Sequence, residues 1–319
     1  MSQQAVVQVP ASEQLLVMFV EDCHIRGLTG ETIRRYKSVA GYFLRFIERR
    51  NVKSVNVDKH ILQDYIRVRR SDGIDQKTLE NELSAVSSFF GFLAFEDYVE
   101  KNPVPEVRKR YLNPYKKEEH DDLDSPRKLV SVAEMSMLIN SILDSRDKAI
   151  MSILAKTGLR RGELISLNVT DIDWAGQSIT LQRNRFRKRS NRCVFFDDET
   201  ARVLRRWLVQ REAMHPTVPA FFVGEKGDRL QRHGVYRTVV EAAERVGLHD
   251  PKSSDPKDHF SPHNCRHWFS SHLLKAGMNR AYVQILRGDA RGDPIDIYHH
   301  VDLNDVRKEY LAFIPQLGI

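Results

Sequence analysis

Residues 261–301 read SPHNCRHWFSSHLLKAGMNRAYVQILRGDARGDPIDIYHHV, and the rest of the chain is organised around them. The stretch opens with a His and an Arg three residues apart, His263 and Arg266, and closes with Tyr298 beside a His pair. On a helix beginning near Ser261 these two residues share a face, so both side chains can reach one small anion. Arg presents a planar fork suited to phosphate oxygens, while His donates a hydrogen bond or moves a proton near neutral pH. Gly277, Gly288 and Pro294 divide the stretch into short helices.

Far upstream, residues 157–164 read TGLRRGEL and place a second arginine, Arg160, at a turn into a helix, where backbone N–H groups also favour anions. Two arginines gripping one phosphate would stabilise the charge that develops in a pentavalent transition state. A free tyrosine, with a pKa of about 10, is a weak nucleophile at neutral pH. Beside two arginines and a phosphodiester, Tyr298 becomes a candidate nucleophile, and its attack would leave a phosphotyrosyl link that conserves bond energy for religation.

The departing sugar oxygen then needs a proton. Residues 178–182, SITLQ, alternate as a strand should, and residues 193–196, CVFF, read as its partner. Between them residues 183–192, RNRFRKRSNR, hold six basic side chains and no acidic one. Lys188 in this hairpin is the candidate general acid, preferred over its neighbours because arginine gives up a proton too reluctantly. Arg183, Arg185, Arg187, Arg189 and Arg192 are candidate DNA contacts.

Each signal also has an ordinary reading. Arg160 with Glu163 could be an i,i+3 helix pair worth a few tenths of a kcal/mol. Tyr298 could be half-buried packing, and a His–Arg pair often arises on a surface helix. It is their combination that points to chemistry. Zinc is the rival for the same stretch, since His259, His263, Cys265, His267 and His272 lie close together. No CxxC pair or acidic ligand accompanies them, and Arg266 stands in their middle, so neither a metal nor another cofactor is expected.

The bulk properties agree with a nucleic-acid partner. The chain of 319 residues is 41% apolar and 29% charged, enough for two globular domains with their own cores. Its net charge of +7 and pI near 9.2 favour a polyanion. No apolar run is long enough to span a membrane, and the start MSQQAVVQVP lacks the pattern of a secretory signal. Three scattered cysteines, Cys23, Cys193 and Cys265, suit a reducing cytoplasm rather than a disulfide framework.

Along the chain, residues 1–10 form a polar tail. Residues 11–105 carry four helical stripes: one from Ser12 to Gly27, one capped by Thr29 or Thr32, one capped by Asp58 and one opening at Thr78. They form a helical bundle. Pro103 and Pro105 break the pattern, and the polar residues 106–128 read as an interdomain linker. Residues 129–319 begin with a capping box at Ser131 and Glu134. They continue through helices, the small hairpin, a helix capped by Asp197 or Asp198, a short buried strand at 219–223, a helix at 234–246 and a last helix holding Val306, Tyr310 and Phe313. The fold class is mainly α with a small β-sheet.

With these residues in view, the chain resembles the tyrosine recombinase family of phage-type integrases and Xer-like recombinases. TGLRRGEL resembles the family's first arginine box, SPHNCRHWFSSHLLKAG its second, DIYHHV its nucleophile segment, and the hairpin after SITLQ its lysine-bearing hairpin. The resemblance implies a helical, SAM-like core-binding domain followed by an α+β catalytic domain. It implies catalytic roles for Arg160, Lys188, His263, Arg266 and Tyr298, with Glu163 as a supporting acid. One departure is clear: Leu286-Arg287-Gly288-Asp289 stands where the family commonly has LGH, so Asp289 occupies the place of a phosphate-binding donor. Either Arg287 or Arg291 substitutes, or Asp289 orients an arginine.

The implied activity is site-specific DNA recombination or integration through a 3'-phosphotyrosyl intermediate. The implied partner is double-stranded DNA, clamped by the two domains. Four protomers would assemble on two sites, with the segment from Asp305 to Ile319 docking on a neighbour rather than folding back on its own domain. The enzymatic alternative is a type IB-like topoisomerase; the non-enzymatic one is a DNA-binding accessory protein whose catalysis is impaired.

Overall fold

A computed structural model describes residues 10–112, 129–181, 192–288 and 301–319. These fall into two compact units, one on each side of the stretch 113–128.

The first unit is a helical bundle. Helix α1 (Ser12–Ile25) starts after Ala11. Helix α2 (Gly30–Glu48) is capped by Thr29, whose hydroxyl accepts the Thr32 N–H. Asp58 caps α3 (Lys59–Ser71) by accepting two N–H groups, from His60 and Ile61. Helix α4 (Gln76–Phe95) begins earlier than the apolar stripe suggests, because Asp75 takes the Thr78 N–H and thereby caps the turn before it. Leu15, Phe19, Phe43, Tyr65, Leu83 and Phe89 meet in the core.

The chain does not become a linker at residue 106. Helix α5 (Val104–Tyr111) carries Pro105 in its first turn, where a missing N–H costs nothing. Val107 and Leu112 are buried in the first unit's core, which holds this charged segment as a helix.

In the second unit the Ser131–Glu134 capping box opens α6 (Val132–Asn140), with both reciprocal bonds formed. Helix α7 (Ser145–Thr157) is its axis: every residue from Ala149 to Thr157 is buried. The short α8 (Arg161–Ser166) follows. A three-stranded antiparallel sheet of β1 (Ile172–Asp173), β2 (Ser178–Leu181) and β3 (Arg192–Phe195) runs in the order β1-β2-β3, with Ile179 opposite Val194. Asp197 caps α9 (Asp198–Met214). Residues 219–223 form no strand. They make isolated bridges at Ala220 and Val223, and the carbonyls of Ala220 and Phe221 are taken by the side chains of Arg211 and Trp207. Helices α10 (Arg232–Arg245), α11 (Pro262–Ala276), α12 (Arg280–Arg287) and α13 (Leu303–Phe313) complete the unit.

Within the single chain, the C-terminal segment packs onto its own unit. Val306, Tyr310 and Ile314 pack against Phe269 and Leu273 of α11. Beyond α13 the backbone is held by buried charge. Lys156 on α7 pairs with Asp197 at 2.6 Å and with Glu199, and donates to the Pro315 carbonyl at 2.6 Å. Glu199 accepts the N–H groups of Leu317, Gly318 and Ile319. The segment thus supplies the hydrogen bonds that make a fully buried lysine and two carboxylates tolerable.

Candidate active site

The turn after α7 aims the first arginine. Gly158 ends the helix with φ at +61°, and a Cβ there would lie 2.5 Å from the Phe269 ring of α11. Only glycine permits both the left-handed backbone and this close approach. Two residues later Arg160 stands at the start of α8. Its backbone N–H donates to a Glu163 carboxylate oxygen at 2.7 Å, and its Nη1 donates to the other at 3.2 Å.

The second arginine comes from the first turns of α11. Arg266 is 4% exposed, and its Nη1 donates to the Gly158 carbonyl at 2.6 Å. A single acceptor then draws the two together. The carbonyl oxygen of Arg287, in the last turn of α12, accepts from Arg160 at 3.0 Å and from Arg266 at 2.7 Å. Two guanidinium groups so close repel each other. The C-terminal end of α12 offsets this, because its orphan carbonyls carry the negative end of the helix dipole.

Arg192, at the start of β3, joins the same helix end. It donates from Nε to the Leu286 carbonyl at 3.0 Å and holds Glu163 with two parallel bonds, at 2.7 and 2.8 Å. Its side chain is only 7% exposed. Burial raises the Glu163 carboxyl's pKa. The hydrogen bond and charge of Arg192, with the N–H and charge of Arg160, outweigh that and hold it below the usual carboxylate value.

His263, one turn before Arg266 on α11, is exposed and lines a cleft of about 330 Å³ with Arg160 and Arg266. Arg161 and Tyr236 share this cleft, and sequence reasoning missed both. For Arg161 the signal was present, as the second arginine of TGLRRGEL. Tyr236 lies on the exposed face of α10, which carries no motif.

The structure therefore brings Arg160, His263 and Arg266 together across more than a hundred residues of chain. Lys188, Asp289, Tyr298, Arg183, Arg185, Arg187 and Arg189 lie outside the described residues. The zinc alternative finds no convergence: among the described residues no three His, Cys, Asp or Glu side chains could hold a metal ion. His259 bonds the Ser253 carbonyl and His272 the Val130 carbonyl. Cys265 is fully buried, which pushes its thiol up to about 12.

The sequence pattern of the phage integrase family matches residues 127–305, more than half of the chain. The chain belongs to the phage integrase family. Residues 25–97 match the N-terminal SAM-like domain of phage integrases. Among similar proteins, the tyrosine recombinase XerC of Herpetosiphon aurantiacus is 30% identical over 302 residues, covering 89% of each chain. The tyrosine recombinase XerA of Saccharolobus solfataricus is 27% identical over 311 residues, covering 95% of this chain and 93% of its own. This member of the phage integrase family is accordingly a tyrosine-type site-specific recombinase.

Solved structures agree on the fold. The XerH recombinase bound to its difH substrate aligns with a TM-score of 0.64 at 20% identity, covering 94% of this chain and 84% of that one. A λ integrase dimer on a core site aligns with a TM-score of 0.63 at 14% identity, covering 91% and 98%. No helix among the described residues of this integrase-family chain is long and apolar enough to cross a membrane.

Proposed function

We propose that this recombinase breaks and rejoins double-stranded DNA with Tyr298 as nucleophile, in the cytoplasm, without metal or nucleotide. The reading rests on the meeting of Arg160 and Arg266 at one carbonyl oxygen, beside a cleft that His263 lines. Two guanidinium groups converge there on a space open to an anion. Groups held in advance where charge will develop stabilise a transition state without reorganising.

In the forward step the phenolic oxygen of Tyr298 gives up its proton to solvent, attacks phosphorus and forms the 3'-phosphotyrosyl bond. The bond to the 5' oxygen breaks, and Lys188 supplies that oxygen's proton. Arg160 and Arg266 neutralise the equatorial phosphate oxygens, and His263 exchanges a proton or hydrogen bond with one of them. Religation reverses each transfer. Asp289, where a neutral or cationic donor would suit the phosphate better, orients an arginine. Arg183, Arg185, Arg187 and Arg189 contact the DNA backbone. Each chain carries one nucleophile, and exchanging two duplexes breaks four strands, so the working assembly is four protomers on two sites.

Covalent capture tests this. Protein expressed in cells carrying its native flanking DNA is recovered under denaturing conditions, and the ends of linked fragments are sequenced beside Tyr298→Phe. Ends stacked at one short site and absent in the Phe variant are expected. Scattered ends that still need Tyr298 would point to a topoisomerase. Retained DNA binding with no covalent product would point to an accessory protein.

A further inference from the structure

Glu163 presents a question that the phosphate chemistry leaves open. A carboxylate lies within 3.2 Å of an arginine that should face a phosphate. An ionised acid there draws the guanidinium toward itself and cancels part of its charge. The structure holds a second cation on the same acid: Arg192 takes both Glu163 oxygens in a forked pair, at 2.7 and 2.8 Å, with geometry better than that of Arg160. The Arg192 side chain is nearly buried and its third donor is spent on the Leu286 carbonyl, which leaves little of it to meet DNA.

We infer that Arg192 is a positioning residue rather than a DNA contact: it neutralises Glu163, so that the carboxylate can orient Arg160 without disarming it. The inference rests on the proposed phosphoryl-transfer reading. Its geometry is tied into the backbone. A Cβ on Gly288, whose φ is +61°, would lie 2.5 Å from an Arg192 nitrogen, so the fork needs a glycine to pass over. Arg192 also borders residues 182–191, which include Lys188, and it binds the end of α12, from which the chain runs on toward Tyr298. One side chain therefore sits at the base of both sequence segments that bring reacting groups.

This role predicts an unusual double-mutant result. In R192A the carboxylate keeps Arg160 as its one arginine partner among the described residues and holds it more tightly. Cleavage of a nicked DNA substrate should fall about 10- to 100-fold, the scale of one charged hydrogen-bond partner, while DNA binding holds. Adding E163Q removes the charge that Arg192 had neutralised, yet keeps an acceptor for the Arg160 N–H. The double variant E163Q/R192A should therefore recover about tenfold over R192A, as coupled neighbours do. A purely structural arginine would give additive losses instead.

The assay uses the full chain with Tyr298→Phe as the blank and thermal unfolding as a check on folding. If R192A does not fold, R192M keeps the aliphatic stem and enters the same cycle. Cleavage by R192A equal to that of the starting protein, or a double variant no better than R192A, overturns the inference while leaving the Tyr298 chemistry intact. No Tyr298-dependent product from the starting protein overturns both.

Discussion

Arg287 enters the site through its carbonyl oxygen. That oxygen sets the spacing of Arg160 and Arg266. Both arginines use the planar fork, which lysine lacks, so Arg266→Lys should keep the charge and lose the geometry. Single-turnover cleavage should fall about 10²- to 10³-fold, as on removal of one preorganised donor, with DNA affinity little changed. Glu163 predicts a pH dependence. Its folded pKa is depressed, so its contribution to stability is complete above the unfolded value of about 4.3 and is lost as pH falls through the lower folded value. Urea titrations should therefore show E163Q less stable than the native chain at pH 6, with the gap closing on acidification through the folded value. Arg160, His263 and Arg266 were legible in the sequence because their boxes are local. Arg192 reads there as one more DNA contact, because a basic hairpin looks uniform until one member turns inward.

At the scale of elements, the end of α12 and the end of α7 decide the geometry. Each helix stops at a glycine with positive φ, and each glycine lies under a side chain from elsewhere: Phe269 over Gly158 and Arg192 over Gly288. Gly288→Ala meets strained backbone, of order 1–2 kcal/mol, as well as the guanidinium. It should lower cleavage and the unfolding temperature together. The buried cluster on α7 makes a separate prediction. Lys156→Met strands Asp197 and Glu199 in the interior and should cost about 3–5 kcal/mol, read by denaturant unfolding. It should also free the C-terminal backbone, measured as faster amide exchange at Leu317 and Gly318, whose N–H groups bond Glu199. Lys156 went unnoticed in the sequence because α7 is buried all round over its last turns. A helix without a polar face offers no pattern that marks one lysine as internal. Residues 106–112 read as linker for the converse reason, since their charges hide two buried apolar side chains.

For the whole molecule, the net charge of +7 makes affinity for DNA dependent on salt. Replacing Arg185, Arg187 and Arg189 by alanine should flatten the slope of log affinity against log salt by roughly 0.9 for each phosphate no longer neutralised. Arg192→Ala should leave that slope unchanged, because the structure commits this side chain to Glu163. The sequence by itself determined the class of the fold, the caps at Thr29, Asp58 and Ser131, and three members of the candidate site, since caps and boxes are written in a few adjacent residues. Tertiary structure alone decided which acid faces which arginine, that the C-terminal segment closes on its own unit, and that α5 is helix. Those outcomes depend on partners 29 to 159 residues apart. No local pattern records which distant carbonyl or carboxylate a side chain will meet once burial forces every polar group to find one.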